Sequence, residues 1–147
     1  MHILKISLNK IGETNKYFCA PSYSSSYKIG LLGDFLGDFG YKGSRERISE
    51  IINNPIANGI SGNCSDLDKK ANGNLEISFS YDSEEAPRLE ISPSVLLKIL
   101  DLYMTAREKI PTPQEIIIKL DENMENPIVE TVGNLNPCAH DHDKKFE

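Results

Sequence analysis

Apolar and polar residues alternate strictly at the start of the chain. In "HILKISLN", Leu4, Ile6 and Leu8 share one side, and Ile3, Lys5 and Ser7 the other. A period of two predicts a half-buried strand. "NKYFCA" adds a short second strand, and the Ser-rich "PSYSSSY" after it reads as a loop. The period then changes. "KIGLLGDFLGDFG" holds a tandem LGDF-LGDF repeat. On a helix this would stack Leu32 over Leu36, Phe35 over Phe39 and Gly33 over Gly37, with Asp34 and Asp38 on a further edge. Interior glycine costs a helix about 1 kcal/mol per position, so the repeat reads either as a helix or as a loop.

"SRERISEIINN" predicts a helix with Ser44 as its N-cap and Ile48, Ile51 and Ile52 at apolar spacing. "NNPIANGISGN" is dense in Asn, Gly and Pro and reads as loop. "NLEISFSY" and "RLEIS" flank "DSEEAP" as a β-hairpin, with Leu75, Ile77 and Phe79 alternating against Glu76, Ser78 and Ser80. In "SPSVLLKILDLYMTAREKI", Ser92 is placed to cap a helix and Pro93 takes the first helical position, where its missing N–H is harmless. Val95, Leu96, Ile99, Leu102, Tyr103 and Ala106 form the apolar face of that helix. "QEIIIKLDEN" follows as a buried strand and "NPIVETV" as a last one. The expected fold is a single α+β domain over residues 1–135: a mixed or antiparallel β-sheet with two or three helices packed on it. Residues 136–147 read as a polar, disordered tail. No βαβ alternation runs the length of the chain, which disfavours a doubly wound sheet.

The 147 residues suffice for one domain with its own core. No apolar run approaches the roughly 20 residues that cross a bilayer, and the N-terminus lacks a signal-peptide apolar region. Cytoplasmic residence and no membrane association are expected. Cys19, Cys64 and Cys138 are odd in number and far apart, so neither a disulfide framework nor a zinc ribbon is indicated. The net charge of −6 is unevenly placed. Residues 66–90 carry three basic against seven acidic side chains, and residues 111–147 three against eight, while residues 1–65 are slightly basic. Such acidic surfaces repel phosphate backbones, which argues against direct nucleic-acid binding. They attract basic proteins and speed the encounter.

Candidate chemistry is sparse. The three histidines are His2, His140 and His142, all at the chain ends, so neither Cys19 nor Cys64 has a nearby base in sequence. "GISG" at 59–62 lacks the spacing of a nucleophile elbow, and glycines 30, 33, 37 and 40 match no phosphate-binding motif. Asp66 and Asp68, or Asp82 with Glu84 and Glu85, fall in segments read as loops, where nothing promises the desolvation that raises a catalytic carboxyl. The tail "CAHDHDKKFE" crowds Cys138, His140, Asp141, His142 and Asp143 into six positions. A structural zinc site draws its ligands from two segments and a catalytic one needs a shaped pocket. The tail is therefore read as an incidental polar terminus, with no catalytic residue, metal or cofactor expected.

The stretch 72–122 resembles small bacterial immunity proteins encoded beside contact-dependent or other polymorphic toxins. The features that carry the resemblance are Ile91-Ser92, the helix segment Leu96 to Asp101, Tyr103, and the turn Pro113 to Ile116 into a strand. The resemblance implies a non-catalytic inhibitor that binds a cognate toxin C-terminal domain, often a nuclease. Charge then nominates Asp66, Asp68, Asp82, Glu84 and Glu85 as the partner-binding surface, and a hairpin could add a strand to the partner's sheet. Two rivals remain: a small enzyme using loop carboxylates or the Cys/His tail, and an oligomeric subunit assembling through the Phe35/Phe39 stripe.

Overall fold

A computed structural model describes residues 1–14 and 16–135. Eleven elements follow in order: β1 (His2–Lys10), β2 (Tyr17–Ser24), α1 (Tyr27–Phe39), α2 (Ser44–Asn53), β3 (Gly59–Ser61), β4 (Ser65–Lys69), β5 (Leu75–Phe79), β6 (Leu89–Ile91), α3 (Pro93–Arg107), β7 (Glu115–Leu120) and β8 (Ile128–Val132). The fold is α+β, with two separate antiparallel sheets in place of one. The first has the order β2-β1-β7-β8 and the second β3-β4-β5-β6.

The alternation in β1 holds: Leu4, Ile6 and Leu8 are buried, as are Ile116, Ile118 and Leu120 on β7. Register pairs Ile6 with Ile116 and Leu4 with Ile118, so one face of the first sheet is continuous core. In the second sheet Leu67, Leu75, Ile77, Leu89 and Ile91 point inward. These two apolar faces belong to one hydrophobic cluster, and α1 joins them.

The LGDF repeat is helical. α1 packs on β1 and β2 of the first sheet and on β4, β5 and β6 of the second. Its Ile29, Leu31, Leu32, Phe35, Leu36 and Phe39 are all buried. A helix apolar over most of its circumference belongs in an interior, and burial against two sheets overrides the propensity cost of its glycines. Ser26 caps it, accepting a hydrogen bond from the Ile29 N–H at 3.3 Å. Gly33 sits where a Cβ would lie 3.1 Å from both Leu4 Cδ1 and Pro21 Cγ, so its lack of a side chain lets the helix approach the first sheet. Gly37, one turn on, is exposed, so the pair does not form a continuous smooth face. Phe35 and Phe39 stack on each other with ring centroids 5.0 Å apart and are 0% and 2% exposed. They are core, and the expected assembly stripe is not at the surface.

Three local expectations change. The Ser-rich segment after Cys19 continues β2 through Ser24, because its backbone pairs with β1 as far as Leu4. "GIS" forms β3 inside the Asn/Gly-rich stretch, paired with β4. The α2 N-cap is Gly43, at a φ of +91°, and Ser44 is the first helical residue with no capping bond from its side chain. α3 matches expectation: Ser92 accepts from the Val95 N–H, Pro93 leads, and Leu96, Ile99, Tyr103 and Ala106 are buried together with Leu100. Residues 136–147, including the Cys138/His140/His142 group, lie outside the described residues. No described helix is long and apolar enough to cross a membrane.

Candidate protein-binding surface

Asp66 and Asp68 lie on strand β4, not in a loop. With Leu67 turned into the core, period two turns both carboxylates to the outer face of the second sheet. Register sets their neighbours. Asp66 lies between Ser61 and Ser78, while Asp68 lies between Gly59 and Glu76, and Glu76 in turn faces Glu90. Three carboxylates, Asp68, Glu76 and Glu90, therefore form one row across three adjacent strands. Like charges directly opposite each other destabilise a sheet.

Two cations relieve one end of the row. Lys70 Nζ lies 3.3 Å from Glu76 and 2.7 Å from Glu90, and Arg88 lies 3.1 Å from Glu76. Asn72 and Asn74 also donate to Glu90. Hydrogen bonds from Lys70, Asn74 and Asn72 hold the Glu90 carboxyl down at about 2. The Lys70 ammonium is pushed up by the same two glutamates.

Asp68, at the other end of the row, goes the opposite way. Partial burial and then the neighbouring Asp66 raise its carboxyl, Arg88 works against them, and Glu76 adds to the rise. Among the described residues, neither Asp66 nor Asp68 forms an ion pair, and nor do Asp82, Glu84 and Glu85.

Asp82, Glu84 and Glu85 belong to the β5–β6 connection and are exposed. The connection is fastened at its start. The Ser80 N–H donates to the Cys64 carbonyl at 2.7 Å, and the Tyr81 hydroxyl to the Asn63 carbonyl at 3.3 Å. The Phe79 and Tyr81 rings meet edge to face at 5.5 Å, yet Tyr81 stays 78% exposed. The connection thus leaves the sheet beside the β3–β4 turn, at the Asp66 end, because Ser65 pairs with Phe79. Asp66, Asp82, Glu84, Glu85 and Tyr81 therefore lie toward this end of the second sheet, and Asp68 follows two residues further along β4.

That turn is held from behind by the LGDF repeat. One Asp38 carboxylate oxygen accepts from the Cys64 N–H at 2.9 Å and the Ser65 N–H at 2.8 Å. These are charge-assisted bonds. The Cys64 thiol lies 3.7 Å from the other Asp38 oxygen. Desolvation first, then the Asp38 and Asp34 charges, raise that thiol, the reverse of what a nucleophile needs. Asp34 is itself raised, by desolvation and then by Asp38. Tyr103 is buried, and burial followed by its hydrogen bond with Cys19 raises its hydroxyl.

A cleft of about 580 Å³ is lined by Lys28, Lys70, Arg88, Glu76, Glu90 and Glu122 among others. Its carboxylates are engaged: Glu76 and Glu90 as above, and Glu122 with the N-terminal ammonium. Hydrogen bonding to that ammonium lowers Glu122. A general acid at neutral pH needs the opposite shift. No group of three or more His, Cys, Asp or Glu among the described residues is placed to hold a metal.

Sequence reasoning named the five acids from charge alone and missed the register that sets their neighbours. Lys70 and Arg88, which pair with two of the three acids in the row, and Tyr81, which lies at the β3–β4 turn end, carried no signal in isolation. The hairpin register could have found Glu76 and Glu90, since the same alternation that buries Leu75 and Ile77 turns Glu76 outward. Comparison with protein families, with characterised proteins and with solved structures finds no match to this chain.

Proposed function

We propose that the protein is a non-catalytic inhibitor that binds a basic partner protein through the Asp66/Asp68 end of the second sheet. The partner class implied by the resemblance over residues 72–122 is a cognate toxin C-terminal domain, a nuclease being the chemistry that best suits an acidic inhibitor. One observation carries the reading. In the row Asp68–Glu76–Glu90, two members are ion-paired with Lys70 or Arg88, while Asp68 forms no ion pair and feels Arg88 only through space. A free carboxylate beside other acids costs stability, and a cation from a partner would offset that cost.

Asp82, Glu84 and Glu85 extend the same charge outward and would steer a positively charged partner in, giving a fast and salt-sensitive association. Tyr81 supplies a large exposed ring of the kind that anchors interfaces once desolvated. Arg88 and Lys70 mark the limit of the site, because past them the acidic surface is already compensated.

The test is co-expression with the toxin domain encoded by the adjacent reading frame. Growth is expected to be rescued by the native chain and lost again with Asp66→Lys/Asp68→Lys. If the native chain fails to rescue, the proposal is wrong.

A further inference from the structure

We propose that the outer face of the first sheet is an interface between two copies of this chain. Register assigns that face. Opposite the buried Leu4, Ile6 and Leu8, β1 turns Ile3, Lys5 and Ser7 outward, and β7 turns out Glu115, Ile117 and Lys119. The two edge strands complete it, with Phe18 and Tyr23 on β2 and Ile128 and Val132 on β8. None of the three described helices packs on this side: α1 and α3 both lie against the inward-facing residues.

The composition of the face is unusual for a solvated one. Phe18, Tyr23, Ile128 and Val132 are 50%, 52%, 51% and 47% exposed. Ile3, Ile117 and Ala20 lie between them, half-buried. Sheet faces left to water normally turn polar residues outward. Here seven apolar side chains, four of them large and about half exposed, are interleaved with Lys5, Ser7, Glu115, Lys119 and Glu130, a share of exposed apolar surface that suits a contact face.

Charge identifies the occupant. The face holds two lysines, Lys5 and Lys119, and two glutamates, Glu115 and Glu130, so it is neutral. Lys119 and Glu130 are 3.2 Å apart, and Lys5 lies over the Tyr23 ring at 5.6 Å. A two-fold mate would bring the same balanced set and meet no net repulsion. A basic toxin domain gains nothing here, and the acidic outer face of the second sheet would repel its own copy.

Area agrees. Four strands about 4.8 Å apart and five to nine residues long, at about 3.3 Å per residue, give a footprint of roughly 19 by 17–30 Å. Two such faces cover about 650–1,140 Å² in plan, and the relief of their side chains brings the accessible area to about 1,200 Å², the low end of stable interfaces. Two sheets stacked face to face, about 10 Å apart, are a standard packing.

The experiment is sedimentation velocity on the full chain from micromolar to near-millimolar concentration. A reversible dimer of twice the 16.4 kDa chain is expected. Ile128→Lys/Val132→Lys, on the exposed β8 edge, should weaken it by at least about tenfold with an unchanged circular dichroism spectrum. Tyr23→Glu, at the opposite edge, is the second probe should that variant fold poorly. Asp66→Lys/Asp68→Lys, which tests the toxin reading, should leave the dimer intact, so the two ideas fail separately. A monomer throughout, or a dimer indifferent to both first-sheet variants, would overturn the proposal.

Discussion

The two sheets share one core and differ on their outer faces. On the first sheet the charges sum to zero: Lys119 pairs with Glu130, Lys5 lies over the Tyr23 ring, Glu115 forms no ion pair among the described residues, and apolar residues such as Ile117 and Ile128 separate the charged positions. On the second, Asp68, Glu76 and Glu90 stand in a single row, and only two of the three are answered from within. Both faces come from the same period-two alternation, so the backbone does not explain the contrast. The choice of side chains does. A face whose charges sum to zero suits a like partner, whereas a face with net charge left over suits an opposite one.

The comparison holds only if the inner faces form one structural unit, and α1 is where that can be broken. Phe35→Ala removes a fully buried ring that stacks on Phe39 between the sheets. A loss of about 3–5 kcal/mol is expected in urea unfolding. The transition should stay single, with both sheets lost together. Two transitions would mean that the sheets are independent and the comparison is between separate bodies.

Asp38→Ala comes next. It strands the N–H groups of Cys64 and Ser65, which now donate to a carboxylate. About 2–3 kcal/mol is expected. Amide exchange should accelerate at those two residues and on β3, while β1 and β7 are much less affected.

Acid separates the faces further. The Glu90 carboxyl sits at about 2 because Lys70, Asn74 and Asn72 favour its charged form. A lowered folded value means stabilisation that is complete above the unfolded carboxylate range and lost as pH falls through that range toward 2. Asp121 and Glu122, lowered by their own hydrogen bonds, act in the same direction. Glu90→Gln should flatten the loss of stability measured by thermal unfolding across that window. An unchanged slope would show that the Lys70 network contributes nothing in solution.

The smallest effect has the most informative sign. Asp68 is raised by partial burial and by Asp66, so its charge opposes folding. Asp68→Asn should leave stability unchanged or raise it by up to about 0.5 kcal/mol, as surface changes do. A clear loss would mean that the carboxylate has an internal partner after all.

Much of this was legible in the residues, for definite reasons. The alternation of β1 and β5, the Ser92-Pro93 start of α3 and the Ile-rich β7 are local signals, and each was realised. The two-sheet division was not legible, because nothing local tells β6 and β7 to join different sheets across α3. The helical state of the LGDF repeat was undecided on propensity, and tertiary burial of Phe35 and Phe39 decided it. Asp66 and Asp68 read as loop residues because "NCSDLDKK" holds one apolar position, Leu67, and a single buried leucine is too little period to reveal a strand. The five acids were nominated by charge. Their division into answered and unanswered charges needed the cross-strand register.

The central claim is that the unanswered end of the second sheet is the partner site. It is tested most directly by calorimetric titration of the toxin domain that the proposal expects in the adjacent reading frame with the native chain and with Asp66→Lys/Asp68→Lys, at two salt concentrations. Nanomolar affinity that weakens with salt is predicted for the native chain, and a loss of at least about 100-fold for the variant. Equal affinities for the two proteins would contradict it.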